Sequence, residues 1–144
     1  MKISTKGRYA LRMMIDIAEH DGETVRVPIK DVSERQGISV KYLEQIVTSL
    51  TRSGLLRSVR GSGGGYHLTR KPEQYTVGEI LRAIEGKLAP VACLEDEVNQ
   101  CERYEICRTV SFWEGLHRLI DNYVESTTLR DFMDGNVGAD CTAL

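Results

Sequence analysis

The stretch Ser39-Val40-Lys41-Tyr42-Leu43-Glu44-Gln45-Ile46-Val47-Thr48-Ser49-Leu50-Thr51-Arg52-Ser53-Gly54, continued by Leu55-Leu56-Arg57-Ser58-Val59-Arg60-Gly61-Ser62-Gly63-Gly64-Gly65-Tyr66, decides the fold of this 144-residue chain. Ser39 is suited to cap a helix, because its side-chain oxygen can accept a backbone N–H of the first turn. Leu43, Ile46, Val47 and Leu50 recur at helical spacing and define one apolar face. Lys41, Gln45, Thr48 and Arg52 fall on the other face. Gly54 suits the left-handed position just past a helix end. An arginine-bearing hairpin with a glycine tip follows at once. A short helix with a polar outer face, trailed by a basic β-wing, is the pattern of a DNA-groove reader.

Upstream, Gly7 to His20 is predicted as the first helix, with Ala10, Met13, Met14, Ile17 and Ala18 forming a core stripe. Asp21-Gly22-Glu23 is a turn, and Val25 to Pro28 is a short strand or extended lead-in. Ile29 to Gln36 is a second, short helix that Gly37 ends, and Gly37-Ile38-Ser39 is a tight turn into the third helix. Two helices joined through a glycine-containing turn give a helix-turn-helix signature. The glycine tip at 61–65 lets backbone approach another surface closely. No Gly-Lys-Ser/Thr follows it and no helix opens there, which argues against a nucleotide-phosphate loop. Arg60 beside the tip favours insertion into a minor groove.

Downstream, Thr76-Val77-Gly78-Glu79 matches a capping box and opens a fourth helix with Val77, Ile80, Leu81 and Ile84 on its core face. Periodicity is lost from Lys87 to Cys107, a stretch too long for an ordinary connection unless something orders it. Thr109 to Ser126 is a long helix. Its Phe112, Trp113, Leu116, Leu119, Ile120, Tyr123 and Val124 cover more than one stripe, so it needs its own domain and a second chain as partners. Thr128-x-x-Asp131 caps a last short helix. The expected organisation is a DNA-binding region over 1–86, a cysteine-bearing loop over 87–107, a dimerisation helix with a terminal short helix over 108–134, and a disordered tail over 135–144. The fold class is mainly α: a winged helix-turn-helix with a two-stranded β-wing plus a long dimerisation helix.

Charge divides along the same line. Residues 1–71 hold 13 Lys+Arg against 7 Asp+Glu, a net of +6, and residues 72–144 hold 6 against 14, a net of −8. The basic half can approach phosphates and the acidic half cannot. No run of about 18 apolar residues would span a membrane. The N-terminus lacks the apolar core of a signal peptide, so the expected location is cytoplasmic, with reduced or metal-bound cysteines.

Cys93, Cys101 and Cys107 stand at C-x7-C-x5-C in the aperiodic stretch, and Cys141 sits apart. Thiolates are soft ligands for iron–sulfur clusters, zinc and copper(I). Zinc favours closer pairs, and the wide spacings suit a larger object such as an iron–sulfur core. Three unrelated reduced thiols are the alternative. The acidic neighbours Glu95, Asp96, Glu97, Glu102 and Glu105 are expected to raise the free thiol pKa values. No nucleophile–base pair stands out and the three histidines are scattered, so the sequence does not read as an enzyme acting on a small-molecule substrate.

Four stretches carry a family resemblance: Met1 to Ala10, Ser33-Glu34-Arg35-Gln36-Gly37-Ile38-Ser39, Tyr42-Leu43-Glu44-Gln45, and Ser58 to Tyr66. Together they resemble the IscR-type branch of the Rrf-two regulators, a family that also includes NsrR and CymR. The resemblance runs from Met1 to about Met133. It implies a homodimeric winged-helix transcription factor that binds operator DNA. It also implies an iron–sulfur cluster, 2Fe-2S in preference to 4Fe-4S, held near the dimer interface by Cys93, Cys101 and Cys107. Such a protein would sense cluster status and control, by repression, genes of cluster assembly. Nitric oxide, redox state or cysteine supply are alternative signals, and a metal-independent DNA-binding or interaction module is the remaining reading. By the same resemblance, Ser39, Tyr42 and Gln45 match recognition-helix contacts and Arg60 matches the wing arginine. Lys41 replaces a small polar residue, and Arg52 joins the basic face. Glu44 is expected to modulate DNA selectivity by repelling phosphate or accepting from cytosine N4. Two positions depart from the pattern. Val110 stands where IscR-type relatives carry a histidine, and Arg8 stands where nitric-oxide-sensing relatives use an acidic residue. Glu105, His117, Cys141 or a group of a second subunit are the candidates for the fourth ligand.

Overall fold

Ser4 sets where the chain enters its first helix. Its hydroxyl accepts from the Gly7 N–H at 3.1 Å, so α1 (Thr5–His20) begins two residues earlier than the apolar spacing predicts. The computed structural model describes residues 1–22 and 25–138. After α1 come α2 (Ile29–Gln36), α3 (Val40–Arg52), the strands β1 (Leu56–Val59) and β2 (Gly65–Leu68), then α4 (Val77–Glu85), α5 (Val110–Ser126) and α6 (Leu129–Met133). Three-residue 3-10 turns lie at Pro72–Gln74, Ala92–Leu94 and Tyr104–Ile106. The architecture is the expected one: mainly helical, with one two-stranded antiparallel wing.

The core forms where the helical stripes meet. Ala10, Met13, Met14 and Ile17 of α1 are fully buried against Val32 of α2 and Leu43, Ile46 and Leu50 of α3. Gly37 closes α2 in the left-handed conformation, at φ 64°, which a side chain would resist. Ser39 then caps α3 by accepting from Tyr42 N at 3.3 Å. The helix-turn-helix is thus fixed by one glycine and one hydroxyl.

A buried carboxylate braces this unit. Asp16 is 1% exposed, takes a fork of hydrogen bonds from Arg35 (2.7–3.2 Å), and accepts from Gln36 Nε2 at 2.8 Å. Burial pushes the Asp16 pKa up, but hydrogen bonds from Arg35 and Gln36 and the Arg35 charge prevail and hold it below the ordinary value.

The wing pairs Leu56 with Leu68, Arg57 with His67, Ser58 with Tyr66 and Val59 with Gly65. Val27 makes an isolated bridge to Tyr66, with both N–H···O distances at 2.9 Å, so the lead-in stretch is a single bridge residue against β2 rather than a strand. A Cβ at Gly65 would sit 2.6 Å from the Val27 carbonyl oxygen, which is why the close approach needs glycine.

Thr76 caps α4 by accepting from Glu79 N at 3.1 Å, but only half of the predicted capping box forms, because the Glu79 carboxylate turns to Arg70 at 2.7 Å. A second apolar cluster of Val77, Leu81 and Leu88 receives Val124 from α5 and Phe132 from α6. The Thr128–Asp131 capping box opens α6, whose Leu129 is fully buried in the main core. Of the expected tail, Gly135 and Asn136 hydrogen-bond back to Phe132 and Asp131, and residues 139–144, with Cys141, lie outside the described residues. No helix among the described residues is long and apolar enough to cross a membrane.

Asp16→Asn is expected to lower stability at pH 7 by about 2 kcal/mol, since the Arg35 fork loses its charged acceptor. Because the folded-state pKa of Asp16 is depressed, this stabilisation is full above the ordinary aspartate value and fades as pH falls through the folded value. The urea stabilities of the two proteins should therefore converge only as pH falls through that folded-state value, below the ordinary aspartate range.

Candidate nucleic-acid interface and cysteine loop

The apolar stripe of α3 faces the core, which turns its opposite side outward. Lys41, Glu44, Gln45 and Arg52 are all exposed, as are Arg57 and Arg60 on the wing. Ser39 is exposed at the helix start with its oxygen occupied by the Tyr42 N–H. Tyr42 is half-buried: its ring meets the Tyr9 ring edge-on, with centroids 5.6 Å apart, and the Arg12 guanidinium lies 5.3 Å from the Tyr9 centroid. Glu44 has no ion-pair partner among the described residues, and its carbonyl accepts from Thr48 Oγ1 at 2.9 Å. Lys6 of α1 reaches Ser49 of α3 at 3.2 Å and adds a cation that sequence spacing does not reveal, because only the tertiary packing brings it there. Such cations supply phosphate contacts, and an amide such as Gln45 can pair bidentately with adenine.

The three loop cysteines are free thiols. Cys93 lies half-buried in the turn Ala92–Leu94, Cys101 is exposed, and Cys107 is half-buried at the end of the turn Tyr104–Ile106. No group of three or more His, Cys, Asp or Glu side chains is gathered for a metal ion among the described residues. The expected acidic effect fails at Cys107. Its thiol lies 3.5 Å from Thr109 Oγ1, and hydrogen bonds from the Thr109 hydroxyl and backbone, joined by the Val110 backbone and the Arg103 charge, hold its pKa below the ordinary thiol value. One of the acidic neighbours, Asp96, is meanwhile paired with Lys87.

Two features of the loop were not legible beforehand. Tyr104 donates its phenol to Glu114 Oε1 at 2.6 Å, clasping the loop to α5. Asn99 Oδ1 accepts from Cys101 N at 2.8 Å, while its Nδ2 is closed off from solvent without an acceptor among the described residues. A buried donor left in that state costs about 1–3 kcal/mol. The donor set, three thiols with one biased toward thiolate and an unspent N–H two residues before Cys101, fits a soft, sulfur-rich group in its chemistry. Of the candidate fourth ligands, His117 Nε2 is engaged by Asp121 at 3.1 Å, Glu105 is exposed, and Cys141 lies outside the described residues.

At the far end of α5, Arg82 of α4 holds Asp121 at 3.0 Å and also pairs with Glu125, which accepts from Thr76 Oγ1 at 2.9 Å. No residue of α5 is fully buried, and Phe112, Leu119 and Tyr123 are 63%, 54% and 48% exposed, so a stripe with spacings of about two turns and then one faces outward.

A family profile, Rrf2, described as an iron-dependent transcriptional regulator, matches residues 3–135. The chain is similar to the protein rrf2 of Nitratidesulfovibrio vulgaris, with 42% identity over 92% of this chain and 87% of the relative. It is similar to the HTH-type transcriptional regulator IscR of Aliivibrio salmonicida, with 40% identity over 94% of this chain and 79% of the relative. Its fold is also similar to the solved structure of CymR, the global cysteine regulator of B. subtilis, with a TM-score of 0.75, 36% identity, and coverage of 92% and 95% of the two chains.

In metal-free protein, the pH dependence of Cys107 alkylation, followed by mass spectrometry, should have its midpoint below the usual thiol range of about 8.5. Thr109→Val should move that midpoint upward, since it removes the hydroxyl beside the sulfur.

Proposed function

The chain belongs to the Rrf2 family of DNA-binding transcriptional regulators and is not an enzyme, and from that premise we propose that it is a homodimeric, cytoplasmic sensor of iron–sulfur cluster status that controls genes of cluster assembly. The observation that carries this reading is the coexistence of an exposed basic helix-and-wing face with three free thiols in a loop clasped to α5. Cys93, Cys101 and Cys107 would hold the cluster, 2Fe-2S in preference to 4Fe-4S, with the fourth donor drawn from Glu105, His117, Cys141 or a second subunit. When bound, the cluster supplies a redox-active centre whose lability makes it a signal.

The chain's own residues do the rest. Lys41 and Arg52 would bind phosphates and Gln45 would read a base edge, with Ser39 and Tyr42 at the entry of α3. Arg60 would enter the minor groove beside the glycine tip. Glu44, with no ion-pair partner among the described residues, would disfavour phosphate or select cytosine and so tune operator choice. Phe112, Leu116, Leu119 and Tyr123 follow a four-three-four spacing, the seam of a two-helix contact, which supports pairing of α5 with the α5 of a second copy. Tyr104 would pass the ordering of the loop to α5 through Glu114.

Likeness to CymR favours one second reading, in which the same dimer responds to cysteine supply. The two separate on anaerobic purification: the sensor is coloured and contains iron and sulfide, and the cysteine-responsive protein is colourless.

Two outcomes test the proposal. Replacing Cys93, Cys101 and Cys107 together by serine should abolish iron uptake and erase the difference in operator affinity between loaded and metal-free protein, read by anaerobic fluorescence anisotropy. A wild type with the same affinity and operator preference in both states would sink the sensor reading. Leu119→Asp should shift sedimentation from dimer to monomer and weaken operator binding by about tenfold or more.

A further inference from the structure

Asn99 sits two residues before Cys101, inside the seven-residue gap that follows Cys93. Its amide orientation is fixed by chemistry. The oxygen faces the Cys101 N–H at 2.8 Å, and a flipped amide would set donor against donor. The planar group therefore holds Nδ2 on the opposite side, where it is sealed from solvent and meets no acceptor among the described residues. Buried amide donors are paired in the great majority of native sites, so this one calls for an acceptor other than the described residues, a water or a bound group. The loop's own carboxylates, Glu95, Asp96, Glu97, Glu102 and Glu105, do not take this bond among the described residues, and a loaded loop adds acceptors of another kind: thiolate and sulfide sulfurs, all of which accept N–H bonds.

We propose that Asn99 is a positioning residue for the bound cluster, its Oδ1 holding the Cys101 backbone and its Nδ2 donating to a sulfur of the cluster or of a ligating thiolate. This rests on the cluster-sensor reading above and assigns to it one residue that tunes the cluster. A hydrogen bond to sulfur withdraws electron density, stabilises the reduced state and slows loss of the group. The same side chain thus fixes the turn in the metal-free protein and sets the potential in the loaded one.

The test uses the full chain, reconstituted anaerobically with iron and sulfide, as wild type, Asn99→Asp and Asn99→Leu. Aspartate keeps the acceptor for Cys101 N, loses the donor and adds charge; leucine loses both polar atoms and stays neutral. Iron and sulfide per chain are counted first in the wild type; if it takes up none, the cluster reading itself fails and this assignment falls with it. With a loaded wild type, both variants should show a more negative midpoint potential in dye-mediated titration and release iron to a chelator about tenfold faster. A drop in aspartate alone would be a charge effect, and faster release in leucine alone at unchanged potential would be a turn effect; either result overturns the donor role, as does wild-type behaviour in both variants.

Discussion

The hydroxyl of Tyr75 is the joint on which the geometry of the wing depends. The side chain is fully buried, donates to the Leu55 carbonyl at 3.0 Å, and accepts from Thr69 N at 2.7 Å and Arg70 N at 3.1 Å. Leu55 leads from α3 into β1, and Thr69 and Arg70 leave β2, so one oxygen ties both feet of the hairpin to the ground beneath α4. Arg70 stacks on the same ring, 4.5 Å from its centroid, and pairs with Glu79. A hairpin of two four-residue strands has little stability of its own. Its angle to the recognition helix comes from this anchorage and from the Val27 bridge on its other side.

Two kinds of attachment hold the remainder. The helical stripes of α1, α2 and α3 meet in a dry core, where spacing and volume decide. The long helix is joined differently. Its C-terminal end is bound by the Arg82 pairs, by Val124 in the small apolar cluster, and by the backbone bond from Val77 N to Thr127 O at 2.8 Å. Its N-terminal end is held by the loop through Tyr104. The long helix is therefore fastened to the rest of the domain largely at a few polar points, several of them partly exposed.

What could be read beforehand follows this division. The stripes Ala10–Met14–Ile17 and Leu43–Ile46–Leu50 announce helices and core together, since periodicity and burial share one cause. Gly37, Ser39, Thr76 and Thr128 mark helix ends because capping is a local matter of neighbouring atoms. The basic outer face of α3 was legible for the same reason. Ser4 caps α1 so that it begins two residues before the apolar spacing places the helix start, and Glu79 leaves its capping box for Arg70, a competitor nine residues away. Tyr75 carries no local signal: the three residues that its hydroxyl bonds, Leu55, Thr69 and Arg70, come from the two ends of the wing. The loop is the least legible part. Its acidic composition points to raised thiol pKa values, yet at Cys107 the hydroxyl of Thr109 and two backbone amides decide otherwise, because groups in contact outweigh screened charges farther off. Asn99 and Glu114 likewise gain their meaning only from what the folded loop sets beside them.

The uneven fastening of α5 gives it the mechanics of a lever. Its fulcrum is the Arg82 grip on Asp121 and Glu125, and from Asp121 back to Val110 the helix runs about 16 Å. A tilt of about 10° at the fulcrum would carry the cysteine end through about 3 Å, a displacement large on the scale of a ligand bond and small on the scale of the helix. Run in reverse, a modest rearrangement among the thiols would become torque on α4, whose Glu79 already holds the arginine at the foot of the wing.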